Sequence, residues 1–204
     1  MIPSAEAVGA AAAACGWIIA SAGISFRIRG SALPITGQTL AVCLSSRLLG
    51  RSASCLGAAS YVALARVGLP VLAGWKSGAP VRSMGYIVGF VPCAAISAIG
   101  DSADPLQAFW WSASGQLSCL LMGGIWSIAC LPPACLLEVD TWARTWSTAT
   151  KPLLPGLFIK AMLVAAVASV CQHAGLQQAA VCATMLTLGL VACSRAGGSP
   201  RIDD

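Results

Sequence analysis

The sequence predicts an all-α fold: a polytopic membrane bundle of six transmembrane helices, with a seventh near the C-terminus if the last apolar run also crosses. Of the 204 residues, 57% are hydrophobic and 9% are charged, and the mean hydropathy is +0.81. A soluble domain carries about 25% charged residues, so this chain has too little polar surface to cover a water-soluble protein of its size. In a bilayer the backbone must form helices or a closed barrel. The apolar runs are continuous and do not alternate as barrel strands do, which favours helices.

The first predicted helix spans residues 7–25. A secretory signal peptide would also be apolar there, but it begins with a basic region. Here the first charge is Glu6, and no Lys or Arg precedes Arg27. Several small residues are four positions apart, among them Ala12 and Gly16. This spacing lets a second helix approach closely in lipid, although a generic Ala-rich helix would look the same.

Three further apolar runs, at residues 38–49, 53–67 and 85–99, predict the second, third and fourth helices. The first of these runs is short for a crossing of about 20 residues. A Gly-Arg-Ser sequence separates it from the next run, and a loop containing Gly and Pro, residues 73–84, precedes the last.

The fifth predicted helix covers residues 109–131 and has two adjacent Trp residues near its start, where an interfacial aromatic belt belongs. The loop after it, residues 134–155, is the most polar of the chain. Its Trp142 and Trp146 are four apart and would share one face of a short helix. That helix would be either an amphipathic lid or, more simply, an interfacial anchor.

The sixth predicted helix covers residues 157–171, and the run at 176–193 is the candidate for a seventh. We therefore expect one membrane-spanning domain, residues 1–194, followed by a short polar tail, residues 195–204.

Charge and cysteine usage exclude several functions. The net charge of +5 includes no Lys/Arg cluster, so a nucleic-acid partner has no support. The ten cysteines form no C-x-x-C pair and the one histidine, His173, has no partner at metal-ligand spacing, so neither a metal nor a cofactor is predicted. The stretch Gly74-Trp75-Lys76-Ser77 only superficially resembles a phosphate loop, in which Lys directly follows Gly. With no nucleophile–base arrangement either, we expect no catalytic residues and no ATP hydrolysis.

Lys160 is the ionisable residue that points most clearly to function, because it lies four residues into the sixth apolar run. A charged residue inside a membrane segment is costly and usually functional. The alternative is that its side chain extends to the nearby interface.

Three sequence motifs occur in one order along the chain: PITGQTL at residues 34–40, GLPVLAG at 68–74 and GYIVGF at 85–90. Together they resemble the BioY family, the biotin-binding S components of energy-coupling factor (ECF) transporters. The similarity extends over about residues 7–171. Lys160 belongs to the same resemblance, because it ends the family's P-G-x-x-x-K pattern at the start of the sixth helix.

The resemblance implies a subunit that binds biotin or a similar small carboxylate, with energy supplied by a separate ECF transmembrane coupling subunit and ATPase subunits. It implies a multi-pass protein of the plasma membrane, with a cytoplasmic N-terminus and with the loops after the first, third and fifth helices outside. Those loops carry most of the basic residues, contrary to the positive-inside rule, so the orientation follows the motifs alone. The implied substrate-binding residues are Thr36, Gln38, Ser83, Gly85, Tyr86 and Lys160.

Two departures from the family pattern leave alternatives open. The family has an acidic residue where this chain has Leu157, and its P-T-G-G-Y sequence reads RSMGY at residues 82–86. A carboxylate can accept hydrogen bonds from the ureido N–H groups of biotin, whereas Leu cannot. An S component for a different small carboxylate vitamin is therefore an alternative, as is a ligand-free membrane scaffold built on small-residue helix faces.

Overall fold

The computed structural model describes residues 4–26, 34–78, 83–131 and 139–174, and in these ranges the chain is an antiparallel helical bundle. All six predicted segments are helical, and the fourth is divided in two. The predicted seventh helix and the polar tail lie outside the described residues. The helices are α1 (Ala5–Ser21), α2 (Gln38–Leu48), α3 (Arg51–Arg66), α4 (Met84–Val88), α5 (Phe90–Ser97), α6 (Pro105–Ala129), α7 (Val139–Thr145) and α8 (Leu154–His173).

The outer surface of the bundle is apolar. Large hydrophobic side chains are exposed along its helices, including Leu106, Ile125 and Met162, each more than 60% accessible. Among the described residues, the continuous stretch Trp142–His173 is long and apolar enough to cross a membrane, and Ala5–Ser21 and Met84–Ser97 are shorter apolar helical segments. Such an extended exposed apolar surface is characteristic of contact with lipid.

The end of α1 is tied to the start of α2 by a short hairpin. Helix α1 ends at Ser21, four residues before the predicted limit, and the chain then extends into β1 (Ser25–Phe26). This strand pairs antiparallel with β2 (Ile35–Thr36), and Ser25 lies opposite Thr36. The hairpin is an addition to the predicted helices, and it holds Thr36 directly before α2.

Helices α1 and α3 pack backbone to backbone. A Cβ atom added to Gly57 would lie 2.6 Å from the Cβ of Ala14 and 2.8 Å from the carbonyl oxygen of Ala11. Helix α6 approaches α5 in the same way, since a Cβ on Gly115 would meet the Ser97 side chain. Small residues thus permit the close approach that stabilises helix pairs in lipid.

Hydrogen bonds from Arg47 connect α2 to the turn between α5 and α6. Its side chain is 4% exposed, and its guanidinium donates to the carbonyl oxygens of Gly100 (3.5 Å), Gln107 (3.3 Å) and Ala108 (3.5 Å). At the same turn, the carboxylate of Asp104 caps α6 by accepting hydrogen bonds from backbone N–H groups. These hydrogen bonds hold the pKa of Asp104 below its usual value.

The helices alternate in direction, so α1, α3 and α6 end where α2, α4 and α8 begin. We call this the loop end of the bundle. Arg47 lies near the opposite end, at the C-terminus of α2.

Candidate functional site

A cavity of about 320 Å³ lies between the helices at the loop end. Its volume is in the range of small-molecule sites. Apolar side chains form much of its wall: Ile35, Leu72, Ile87, Phe90, Leu120, Leu153 and Leu157. Polar side chains interrupt that wall: Thr36, Gln38, Thr39, Tyr61, Lys76, Ser83, Tyr86, Gln116 and Lys160.

Five of the six residues expected from the sequence line this one cavity. Thr36 comes from β2, Gln38 is the first residue of α2, Ser83 precedes α4, Tyr86 lies within α4, and Lys160 lies within α8. Residues far apart in the sequence therefore meet because the starts of three helices converge at the loop end.

Gly85 lies elsewhere, which corrects the expectation that it would line the cavity. It faces α6, where an added Cβ would overlap the side chain of Trp126 and lie 3.1 Å from the carbonyl oxygen of Met122. The missing side chain lets α4 pack closely against α6.

Gln38 takes part in a buried hydrogen-bond chain across the cavity wall. Its Nε2 donates to the hydroxyl of Tyr61, which in turn donates to the carbonyl oxygen of Val71 at 2.9 Å. Gln38 is 4% exposed and Tyr61 is fully buried. These hydrogen bonds join α2 and α3 to the loop that follows α3.

Tyr86 connects the cavity to the segment before α8. Its hydroxyl lies 3.3 Å from the Oγ1 of Thr150, which is fully buried at the end of a π-helical turn (Trp146–Thr150). Trp142 and Trp146 are themselves exposed, at 49% and 40%. The segment therefore presents Trp to the outside and Thr150 to the cavity wall.

Lys160 brings a positive charge into this largely apolar space. Its Nζ donates to the Oγ1 of Thr39 at 2.8 Å. The described residues that line the cavity include no Asp or Glu. Leu157, three residues earlier on the same helix, is 5% exposed and apolar. An ammonium group beside a neutral hydroxyl favours an anionic ligand.

Within the described ranges, no cluster of three or more His, Cys, Asp or Glu residues could hold a metal ion. In the described part of the chain, the thiols of Cys43 and Cys93 are close together, with their sulfur atoms 3.8 Å apart. Two thiols do not supply the four ligands of a structural zinc site.

Sequence reasoning missed several cavity residues, among them Thr39, Tyr61 and Gln116. A signal existed for Gln116, which is the one amide side chain in the apolar run 109–131. A polar residue inside a membrane segment is a functional candidate by default. Tyr61 carried a weaker signal, since a buried Tyr hydroxyl needs a partner that the sequence does not identify.

The sequence model of the BioY family matches residues 3–192 of this chain. The chain is 40% identical over 87 residues to a biotin transporter BioY of Thermotoga maritima, covering 41% of this chain and 50% of that one. It is 29% identical over 154 residues to a biotin transporter BioY of Rhodobacter capsulatus, covering 68% and 78%. The chain thus spans half the length of the first relative.

The fold is similar to a crystal structure of the S-component for biotin from an ECF-type ABC transporter. The TM-score is 0.66, and the match covers 82% of this chain and 90% of that one at 19% sequence identity. At this identity the similarity establishes the helical-bundle fold.

Proposed function

Because this chain belongs to the BioY family, we propose that it is the substrate-binding membrane subunit for biotin uptake. It captures the vitamin and performs no chemistry on it, so it is not an enzyme. The energy for transport comes from a separate ECF transmembrane coupling subunit and ATPase subunits. The chain is a multi-pass protein of the plasma membrane.

The observation that carries this proposal is the ammonium of Lys160 in a cavity whose described lining has no acidic residue. A buried charge needs a partner of opposite sign. The carboxylate of biotin supplies one, and their attraction is strengthened in a poorly hydrated site.

The rest of the wall suits the remaining groups of biotin. Apolar side chains such as Phe90 and Leu120 form a surface for the sulfur-containing ring and the aliphatic chain. Thr36, Gln38 and Ser83 offer hydrogen-bonding groups for the polar end of the ligand.

The position of the cavity supports capture from outside. It lies at the loop end, where described residues of the loops after the first, third and fifth predicted helices, Thr36, Leu72 and Leu153, line it. The motifs imply that these loops are external. The start of α1 lies at the opposite end of the bundle, which is the cytoplasmic side in this orientation.

The free face of α1 supports docking of the coupling subunit. Ala12 is exposed, and nothing lies within 4 Å of a Cβ added to Gly9 or Gly16. The opposite face of α1, at Ala14, already packs on α3. The open small-residue face can therefore accept a helix from a partner.

Leu157 favours a second candidate, an S component for a different small carboxylate. The buried apolar side chain removes an acceptor that the ureido group would use. Thermal stabilisation of the purified chain separates the candidates, because a ligand that binds only the folded state stabilises it by RT ln(1 + [L]/Kd).

We expect biotin to raise the melting temperature of the chain in detergent, in a concentration-dependent manner. Stabilisation by another vitamin carboxylate but not by biotin would favour the second candidate. No stabilisation by any of them would favour a scaffold. Uptake of labelled biotin by cells expressing the chain, with and without the coupling proteins, tests the transport role.

A further inference from the structure

Gln116 has a buried amide group that the described part of the chain leaves without a partner. The residue is 2% exposed and lines the cavity from the middle of α6. Its Nε2 makes no hydrogen bond with any described residue. Burial of an amide N–H without a hydrogen bond costs free energy. Nε2 is sealed from the cavity in this conformation, although Gln116 itself lines the cavity, so a ligand there becomes its partner once the amide turns toward the cavity.

Two other nitrogen donors of the wall already have partners. Gln38 donates to Tyr61, and Lys160 donates to Thr39. Gln116 differs from them, since its Nε2 is the one buried side-chain nitrogen or oxygen of the described cavity wall that lacks a hydrogen-bond partner.

The cavity also lacks an acidic acceptor. Leu157 fills the position on α8 with an apolar side chain, and no Asp or Glu occurs among the described lining residues. N–H donors of a ligand must therefore find a neutral oxygen. A carboxamide provides one, and it carries a donor beside the acceptor.

We propose that Gln116 recognises a cyclic urea or cyclic amide in the ligand and so compensates for Leu157. In such a ring the N–H and the C=O lie side by side on one edge. The Nε2 of Gln116 donates to that carbonyl oxygen, and its Oε1 accepts from the adjacent N–H. The ureido ring of biotin has this edge, so the inference rests on the proposed function and names the group that the site selects.

Calorimetry on the purified full-length chain tests this pairing with biotin and with its two derivatives methylated on one or the other ureido nitrogen. Loss of a neutral hydrogen-bonded pair weakens binding by roughly 10-fold. Gln116→Leu should therefore weaken biotin binding at least as much as methylation of the paired nitrogen weakens binding to the parent chain. That methylation should cause little further loss in Gln116→Leu, because the N–H contact that it removes is already absent from the variant.

The matched control is Ser112→Ala, one helical turn away. Ser112 is fully buried, its hydroxyl also lacks a partner in the described ranges, and it does not line the cavity. This variant should bind biotin and both methylated forms as the parent does. Additive losses from Gln116→Leu and from each methylation would overturn the proposal.

Two further results keep the test decisive. If Gln116→Leu does not fold, Gln116→Glu keeps the acceptor and removes the donor. It should bind biotin more weakly yet remain sensitive to methylation, and unchanged affinity would overturn the pairing.

If the parent binds no biotin, the proposed function fails together with this inference. If the parent binds biotin but Gln116 shows no coupling, the proposed function stands and only the inference fails.

Discussion

The Nζ atom of Lys160 lies 2.8 Å from the hydroxyl oxygen of Thr39, joining α8 to the first turn of α2 at the wall of the cavity. A hydroxyl orients the ammonium without neutralising it. The positive charge is held in place, and under the proposed function the carboxylate of the ligand completes the pair.

Replacement of Lys160 by Ala removes the group that we expect to bind the ligand carboxylate. Loss of one partner from a buried charge pair costs about 2–5 kcal/mol. That corresponds to roughly a 30-fold to several-thousand-fold lower affinity for biotin, measured by calorimetry. The methyl ester of biotin has no charge to lose and should bind both proteins alike. An equal loss for acid and ester, or no loss at all, would contradict the carboxylate assignment.

Leu157→Asp restores an acidic acceptor to the cavity. If the ligand is biotin, its affinity should rise or remain the same, because the ureido N–H groups gain a partner. A ligand without such donors should bind more weakly, because the new carboxylate would be buried alone. Leu120→Asp serves as a control, since it puts a carboxylate on the α6 wall of the same cavity and should weaken binding. A loss of biotin affinity in Leu157→Asp would refute the biotin pose and leave the transporter class intact.

A larger side chain on the free face of α1 should uncouple the subunit from its partner. Ala12→Leu or Gly16→Leu blocks close helix approach. Uptake of labelled biotin with the coupling proteins should fall, while binding by the isolated subunit persists. Ser114→Leu, at an exposed position of α6, is the control and should leave uptake unchanged. Normal uptake in the α1 variants would show that this face is not the coupling surface.

The two faces of α1 should also differ in stability. Gly57→Ala places a Cβ 2.6 Å from that of Ala14, so the variant should be destabilised by about 1–3 kcal/mol through overpacking. Gly16→Ala meets nothing within 4 Å and should hold or raise the melting temperature. Thermal unfolding of both variants in detergent measures the contrast, and equal melting temperatures would refute the close α1–α3 contact.

The purified chain should hydrolyse no ATP. The Lys76 segment forms an isolated bridge with Leu72 rather than the loop between a strand and a helix. The backbone N–H of Gly74 donates to the carbonyl oxygen of Ala22 at 2.8 Å and cannot bind a phosphate. Phosphate release should therefore equal that of a mock preparation, for both the parent and Lys76→Ala. Reproducible hydrolysis by the parent, abolished by this variant, would refute the role as a passive binding subunit.

Composition and apolar runs were sufficient to predict the helical bundle, because lipid-facing helices need long apolar segments whatever their partners. They could not predict that the run at 85–99 divides into two helices at Gly89. A Cβ on Gly89 would lie 3.0 Å from the Cα of Cys119, so the break accompanies close packing on α6. Contacts of this kind depend on a residue far away along the chain.

The candidate site was predicted where its residues belong to contiguous motifs, as Thr36 and Gln38 do. Tyr61 and Gln116 lie in other helices and join the site only through the packing of the bundle. Gly85 is the opposite case. It belongs to a motif, yet its lack of a side chain serves the contact with Trp126 rather than the cavity.

The hydrogen bonds of Arg47 are concentrated near one end of the bundle. Its guanidinium hydrogen-bonds α2 to the start of α6 and to the preceding turn. At the other end, the described strands β1 and β2 join α1 to α2. Because these hydrogen bonds hold one end of the bundle together and the cavity lies at the other, we expect a ligand to enter and leave at the loop end. Directionality is then absent from the isolated chain, and work done by another protein has to supply it.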